Sequence, residues 1–223
     1  MYKCVVKRLL DIILSSVAIV VLALPMLIIA IAIKIDDPGP VLFKQRRVGK
    51  KKNGEITYFM IWKFRSMKMS TPHDTPTHLL ENPDQYITRV GRFIRKTSID
   101  ELPQIYQVFT SKLSVIGPRP ALWSQDDLIA EREKYGANDI KPGITGWAQI
   151  NGRDELEIDV KARLDGEYAT SINAGKFKGL VMDIKCFFGT IVSVLKSDGV
   201  VEGGTGEMKK NDASDLEKEE VSK

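Results

Sequence analysis

Hydrophobic and polar positions divide the chain into a long apolar N-terminal stretch and a mixed remainder. Residues 9–33 are almost wholly apolar and are interrupted by Asp11, Ser15, Ser16 and Pro25. A straight helix of this length exceeds the roughly 30 Å hydrocarbon core of a bilayer. A secretory signal has a shorter apolar core and ends at a small-residue cleavage site, which the following Lys-Ile-Asp-Asp sequence does not resemble. The pattern therefore predicts a membrane segment.

Basic residues flank this segment on both sides. They are Lys3, Lys7 and Arg8 before it and Lys34, Lys44, Arg46, Arg47, Lys50, Lys51 and Lys52 after it. Lys and Arg favour the cytoplasmic side of a membrane, so the rule places both ends of the segment on that side. This favours a re-entrant segment that enters and leaves on one face. Pro25 removes an N–H and clashes with an earlier carbonyl, so it supplies the break. A Pro-kinked single span is the alternative. We expect Asp11 to pair with Lys7 one turn earlier.

The rest of the chain alternates short extended and helical patterns. A turn precedes a strand at residues 41–43, and a second strand at residues 56–62 predicts a β-hairpin with a basic tip. Apolar residues at helical spacing follow Tyr86. Further helices are predicted over residues 102–109, 121–135, 154–170 and 180–196. The last is amphipathic and suits either a membrane interface or a core. The predicted fold is α+β and mainly helical.

Composition narrows the class of protein only slightly. The net charge of +4 over 223 residues is compatible with anionic lipid, nucleotide or nucleic acid. Cys4 and Cys186 are far apart and form no CxxC, which argues against a disulfide scaffold. His73 and His78 lie in a polar loop without a Cys cluster, so we interpret them as solvated residues rather than zinc ligands. Three regions are expected: a membrane helix (1–36), a folded domain (37–200) and a disordered tail (201–223).

Two adjacent carboxylates, Asp100 and Glu101, follow a run of cations. With Ser98, Glu101 has the form of a capping box, in which both side chains satisfy backbone N–H groups at a helix start. Pro103 fits that interpretation poorly because proline favours the first helical position. Either way, both carboxylates are predicted near a helix N-terminus. Arg119 stands between two prolines, a stiff mount for a guanidinium that contacts phosphate.

Two further segments carry groups suited to a phosphate ligand. The KFRSM sequence at residues 63–67 interleaves cations with large apolar side chains, and Lys63 and Arg65 would point the same way from an extended segment. Residues 142–153 (PGITGWAQINGR) are rich in glycine and polar groups, which predicts a loop that wraps a ligand through backbone N–H groups. This loop lacks the GK[ST] ending of a Walker motif.

Six ordered motifs together resemble one known family. They are KRxxD with a Pro-broken apolar segment, FxQxRxG, KFRSM, RxxSxDEL, GPRP and PGITGWAQINGR, and they cover about residues 3–200. The chain resembles the bacterial sugar transferase family, the monotopic phosphoglycosyl transferases, in particular the small catalytic form typified by the Campylobacter enzyme of N-glycan assembly. The family helix break is often Ser-Pro, whereas here it is Leu24-Pro25.

The resemblance implies an activity and a location. It implies transfer of a phospho-sugar from a UDP-sugar to polyprenol phosphate, with Mg²⁺, release of UMP and a covalent phospho-sugar intermediate. It also implies a re-entrant helix in bacterial inner-membrane phospholipid, a catalytic domain on the cytoplasmic face and no nucleic-acid partner. The sugar, the pathway and the oligomeric state stay open. One alternative is a non-catalytic, basic, membrane-associated adaptor or nucleic-acid-binding module. Another is a transferase of the polytopic type, against which the single apolar segment argues.

The same resemblance implies roles for particular residues. Asp100 would be the nucleophile and a metal ligand, and Glu101 its partner and a candidate base for the acceptor. Substrate contacts would come from Lys63, Arg95, Arg119, Gln149, Asn151 and Arg153. The physics agrees with this chemistry, since phosphoryl transfer depends mainly on charge neutralisation and positioning. A carboxylate can serve as the nucleophile in such a reaction.

Overall fold

The computed structural model describes residues 2–71, 83–152 and 156–196. Its first long element is helix α1, Lys7–Asp36, which follows a π-helical turn at Tyr2–Val6. Of the described helices, α1 alone is long and apolar enough to cross a membrane, and its most apolar window is only 11% buried. The helix is continuous through Pro25. A membrane-type helix is thus present, while its re-entrant course stays a prediction.

Four short strands, six further α-helices and three 3₁₀ turns make up the rest of the described secondary structure. The strands are β1 (Leu42–Val48), β2 (Tyr58–Phe64), β3 (Ser114–Ile116) and β4 (Gly143–Thr145). The helices are α2 (Arg89–Lys96), α3 (Gln104–Phe109), α4 (Asp126–Lys134), α5 (Trp147–Ile150), α6 (Ile158–Asn173) and α7 (Lys176–Lys196). β1 and β2 form an antiparallel hairpin, and β3 and β4 pair in parallel. The predicted mainly helical α+β class and the hairpin are confirmed, but the parallel pair was not predicted.

Several predicted boundaries shift for identifiable reasons. The helix expected after Tyr86 begins at Arg89 because the Thr88 side chain accepts a hydrogen bond from the Gly91 N–H at 2.9 Å and caps it there. Residues 142–153 are not wholly a loop, since they contain β4 and α5. The predicted tail (201–223), His73 and His78 lie outside the described residues.

A buried polar cluster anchors the start of α1. Asp183 on α7 accepts hydrogen bonds from Tyr2 Oη at 2.5 Å, Lys7 Nζ at 2.8 Å and Tyr168 Oη at 2.7 Å. The predicted pair of Lys7 with Asp11 is therefore wrong. Lys7 finds a partner distant in sequence because a buried charge needs a close counter-charge.

Asp11 and Arg8 bind other parts of the domain. Asp11 Oδ1 accepts from Ser114 Oγ at 3.0 Å and from the Val115 N–H at 2.9 Å. Arg8 donates to the carbonyls of Val108 and Phe109 at 2.7 and 2.6 Å. Those carbonyls end α3, where a cation satisfies acceptors that the helix leaves unpaired.

The far end of α1 is tied to the same domain. The buried Arg65 guanidinium donates to the Pro40 carbonyl at 2.7 Å and to both the side chain and the carbonyl of Asp37. Asp36 accepts from the Val90 N–H at 2.9 Å, at the start of α2. Arg65 thus joins the hairpin to α1, rather than pointing with Lys63 toward a ligand.

Apolar packing links α1 to the two adjacent carboxylates. Met26 and Ile33 of α1 lie in a buried cluster with Ile94 of α2. Ile99 and Leu102, which flank Asp100 and Glu101, pack against this cluster. The position of the carboxylates therefore depends on the seating of the membrane-type helix.

Loss of Asp183 should destabilise the protein strongly. Asp183→Ala leaves the Lys7 charge buried without its partner, and breaking a buried pair in this way costs roughly 3–5 kcal/mol. Thermal unfolding in detergent, followed by size-exclusion of the surviving protein, measures the effect. The control is Glu131→Gln, which breaks the exposed pair of Glu131 with Lys134 and should change little. Equal unfolding temperatures for the two variants would contradict the anchoring role.

Candidate active site

Asp100 and Glu101 lie in a single 3₁₀ turn, Ile99–Glu101, between α2 and α3. Ser98 adopts a left-handed conformation (φ 55°) and its side chain makes no capping hydrogen bond. The capping box is therefore wrong, and α3 begins later, at Gln104. The left-handed Ser98 changes the chain direction after α2. The two carboxylates therefore precede α3 but do not cap it.

Glu101 is held by two cations. Its Oε1 accepts from Lys63 Nζ at 2.7 Å and from an Arg119 NH2 group at 2.8 Å, while Oε2 accepts from Arg119 at 3.3 Å. Burial alone would raise the pKa of Glu101, but the charges of Arg119 and Lys63 outweigh it and hold that pKa well below the usual range. Glu101 is thus a firmly ionised anion whose oxygens are already in use, which does not suit a general base.

Asp100 is more loosely held. Its carboxylate lies 3.9 Å from Lys63 Nζ, and only 13% of its side chain is exposed. Burial raises the pKa of Asp100, Lys63 lowers it and the Glu101 charge raises it again, giving a value of about 6. The charges of Arg95 and Arg119 also lower it. Asp100 is therefore mostly ionised at neutral pH while its oxygens are not engaged as those of Glu101 are.

Close backbone packing fixes Arg119. A side chain at Gly117 would come within 2.4 Å of the Lys141 carbonyl, so only glycine fits there. The Gly117 N–H donates to the Thr145 carbonyl at 2.7 Å, and the Gly143 N–H donates to the Pro118 carbonyl at 3.0 Å. The prolines on either side of Arg119 then present its guanidinium to Glu101, as the predicted stiff mount requires.

Lys63 is oriented by a residue that sequence reasoning missed. Gln107 of α3 is fully buried, and its amide accepts from the Trp62 N–H at 2.9 Å and donates to the Met60 carbonyl at 2.6 Å. Gln107 thereby provides hydrogen-bond partners for the backbone groups at the edge of β2, next to Lys63. A glutamine on the buried side of a predicted apolar helix was the available signal, because a buried amide requires partners.

The structure joins some predicted substrate residues but not others. Lys63 and Arg119 lie beside the carboxylates, and Arg95 is near enough for its charge to lower the pKa of Asp100. In the part of the chain that the structure describes, Gln149 is buried with both amide atoms unpaired, and Asn151 donates to the Trp147 carbonyl at 2.7 Å within α5. Neither of these contacts Asp100 or Glu101, and Arg153 lies outside the described residues.

The donor set around Asp100 fits a magnesium ion that takes most of its ligands from a substrate. The described residues contain no cluster of three or more His, Cys, Asp or Glu side chains able to hold a metal. Mg²⁺ typically binds one or two carboxylates together with substrate phosphates and water. Because cations occupy Glu101, Asp100 is the carboxylate with oxygens available to such an ion.

Comparison with known proteins gives a family match over most of the chain. Residues 2–197 match the bacterial sugar transferase family. A UDP-glucose:undecaprenyl-phosphate glucose-1-phosphate transferase of Escherichia coli K12 is 39% identical over 175 residues, or 73% of this chain and 35% of that protein. The exopolysaccharide production protein PSS of Rhizobium leguminosarum bv. phaseoli is 38% identical over 200 residues, or 86% of this chain and 96% of that protein.

A third relative is named for N-acetylgalactosamine rather than glucose. It is the UDP-N-acetylgalactosamine-undecaprenyl-phosphate N-acetylgalactosaminephosphotransferase of Aeromonas hydrophila, 36% identical over 198 residues, or 87% of this chain and 44% of that protein. The chain spans 35% of the length of the Escherichia coli relative, so the similarity covers only part of such longer proteins.

The pKa of Asp100 should be measurable by infrared titration. We expect the band of its protonated carboxyl to disappear with a midpoint near pH 6 and to be absent in Asp100→Asn. Lys63→Met should move the midpoint to higher pH because the Lys63 charge lowers this pKa. Glu101→Gln should move it to lower pH because the Glu101 charge raises it. A midpoint that neither variant changes would contradict this electrostatic description.

Proposed function

Because the chain belongs to the bacterial sugar transferase family, we propose that it transfers a sugar 1-phosphate from a UDP-sugar to undecaprenyl phosphate. The products would be UMP and undecaprenyl-diphosphate-sugar, in the first membrane step of glycoconjugate synthesis. The observation that carries this proposal is the unequal state of the two carboxylates. Asp100 is ionised and available, beside cations that Glu101 holds in place.

The first step is attack by Asp100. A carboxylate oxygen of Asp100 forms a bond to the β-phosphorus of the UDP-sugar, and the bond from that phosphorus to the bridging oxygen breaks. UMP leaves with the electron pair, and the sugar phosphate stays on the enzyme as an acyl phosphate. Lys63, Arg95 and Arg119 neutralise charge on the diphosphate, as phosphoryl transfer requires.

The second step regenerates the carboxylate. A phosphate oxygen of undecaprenyl phosphate forms a bond to the same phosphorus, and the bond to Asp100 breaks. The acceptor phosphate is already an anion near neutral pH, since its second pKa lies near 6. The step therefore needs little proton removal, and Glu101 can act as a positioning residue that keeps Lys63 and Arg119 aimed at the diphosphate.

Asp100 is the residue that would hold a magnesium ion in this scheme, because its carboxylate oxygens are not engaged as those of Glu101 are. When bound, the ion would supply charge neutralisation on the phosphate oxygens. The chain's own contribution is to hold Asp100 with an oxygen free to attack and to surround it with fixed cations.

A re-entrant course for α1 is supported by contacts at its two ends. A straight 30-residue helix is about 45 Å long, more than the roughly 30 Å apolar core of a bilayer. Yet Lys7 at one end and Asp37 at the other both bind the same domain. One domain on one side of a membrane can do this if both ends of the helix return to that side, which we propose is the cytoplasmic face.

The substrate sugar and the subtype are not assigned. The relatives include proteins named as glucose, galactose and N-acetylgalactosamine transferases, so the similarity is equally compatible with these three sugars. The Campylobacter N-glycan subtype stays a prediction from motifs. The adaptor alternative would leave the cation-framed carboxylate pair without a role.

Substitution of the nucleophile tests the covalent step. Asp100→Asn should abolish UMP release, and intact-protein mass spectrometry should detect a phospho-sugar adduct on the wild-type chain but not on the variant. The assay uses a panel of UDP-sugars with undecaprenyl phosphate. Turnover of Asp100→Asn near the wild-type rate would refute the assignment.

A matched variant separates the two possible roles of Glu101. Glu101→Gln should slow adduct formation itself, on the order of 100-fold, because Lys63 and Arg119 lose their anchor. A general base for the acceptor would behave differently. In that case the adduct would form at the wild-type rate and accumulate, and only its transfer to undecaprenyl phosphate would slow.

Cysteine accessibility tests the topology. In a chain without native cysteines, Val5→Cys and Ile35→Cys place thiols at exposed positions near the two ends of α1. We expect an impermeant reagent to label both in inside-out vesicles and neither in intact cells, as for a Glu55→Cys control in the hairpin turn. Labelling of one end from each side would favour the single span.

A further inference from the structure

Helix α2 presents a cationic face to solvent. Arg89, Arg92, Phe93 and Lys96 are exposed. At 3.6 residues per turn these four positions lie within one face about 100° wide. The opposite side holds the buried residues Gly91 and Ile94.

Within the described residues, the cations of this face form no ion pairs. Some exposed cations elsewhere do, such as Lys134 with Glu131 and Arg163 with Glu167. The α2 sequence RVGRFIRK contains no acidic residue. Across residues 2–71, 83–152 and 156–196, no acidic side chain forms an ion pair with this face. A concentrated, unpaired positive face is a suitable site for an anionic surface.

The position of α2 points to the kind of anion. Val90 and Ile94 pack with Ile33 of α1, and Asp36 of α1 accepts from the Val90 N–H. α2 therefore begins at the end of the membrane-type helix and runs beside it. Phe93, 59% exposed, projects from among the cations. Basic side chains with an exposed aromatic residue are typical of helices at a membrane interface.

We propose that this face of α2 binds the headgroups of anionic phospholipid, with Phe93 entering the edge of the acyl region. The inference rests on the proposed membrane seat of α1. It assigns to α2 a preference for lipid charge that neither α1 nor the carboxylate pair supplies. Each cation near an anionic surface contributes about fivefold in affinity, so the three together would give a strong preference.

Lipid retention tests this preference without relying on catalysis. The full chain is placed in phosphatidylcholine nanodiscs with phosphatidylglycerol, then extracted, and the retained lipids are counted by native mass spectrometry. Wild-type protein should retain phosphatidylglycerol above its bilayer fraction, and salt should reduce this. The test variant is R89Q/R92Q/K96Q. The control, which removes the same charge from exposed sites outside α2, is K52Q/K134Q/R163Q.

The triple α2 variant should lose the enrichment, and the control should keep it. Equal enrichment in the variant and the wild type would overturn the proposal. So would normal enrichment with a raised KM for undecaprenyl phosphate, since the face would then serve the acceptor. If the triple variant does not fold, the single variant R92Q is measured instead. Its affinity for phosphatidylglycerol should be about fivefold lower than that of the wild type. Failure of the transferase proposal would leave these lipid counts unaffected.

Discussion

The structure depends on satisfying the few polar groups of a helix that is otherwise suited to lipid. An unpaired charge or backbone group in such a place is costly, so polar residues on α1 must bind the domain. At the first end, Lys7 binds Asp183, and Asp11 binds the start of β3. At the other end, Asp37 binds Arg65. These contacts fix the helix to the domain at two distant points, so the domain cannot turn freely about a single tether.

This double attachment determines where the carboxylates lie. The residues on either side of them, Ile99 and Leu102, pack into the same cluster as Met26 of α1. Movement of the helix relative to the domain would therefore displace the turn that carries Asp100. A transferase that acts on a lipid phosphate needs its nucleophile at a fixed depth near the membrane surface. In the proposed transferase, the packing of the Ile99–Glu101 turn on the membrane-type helix would set that depth.

Sequence patterns predicted the elements whose stability is local or amphipathic. The long apolar run, the hairpin and the 3.6-residue spacing of α2 all follow from periodicity. The motifs singled out Asp100, Lys63 and Arg119, and the structure places these side chains near one another, while their roles in a reaction stay predictions. Predictions that relied on local pairing were wrong. Lys7 binds Asp183 rather than Asp11, because this distant contact satisfies its charge better. Glu101 likewise binds two cations distant in sequence instead of capping a helix.

The parallel pair of β3 and β4 was not foreseeable for a related reason. Each strand has only three residues. This is too short for an alternation of apolar and polar residues to be recognised in the sequence. What the sequence does carry is the need for glycine at Gly117 and Gly143, where backbones approach closely. Gly143 belonged to the predicted ligand loop and Gly117 to the predicted mount of Arg119. In the structure both glycines allow β3 and β4 to meet, which fixes Arg119.

The opposite environments of two neighbouring carboxylates explain how one turn can serve phosphoryl transfer. Equal carboxylates in contact would share a proton or compete for the same cations. Here Lys63 and Arg119 saturate Glu101, whose pKa is driven down, while burial raises that of Asp100 to about 6. Glu101 consequently gives up its own reactivity to keep the cations in place. Asp100 keeps a basic, weakly engaged oxygen beside those cations, and so the proposed nucleophile and the charges that its product would require arise from the same interaction.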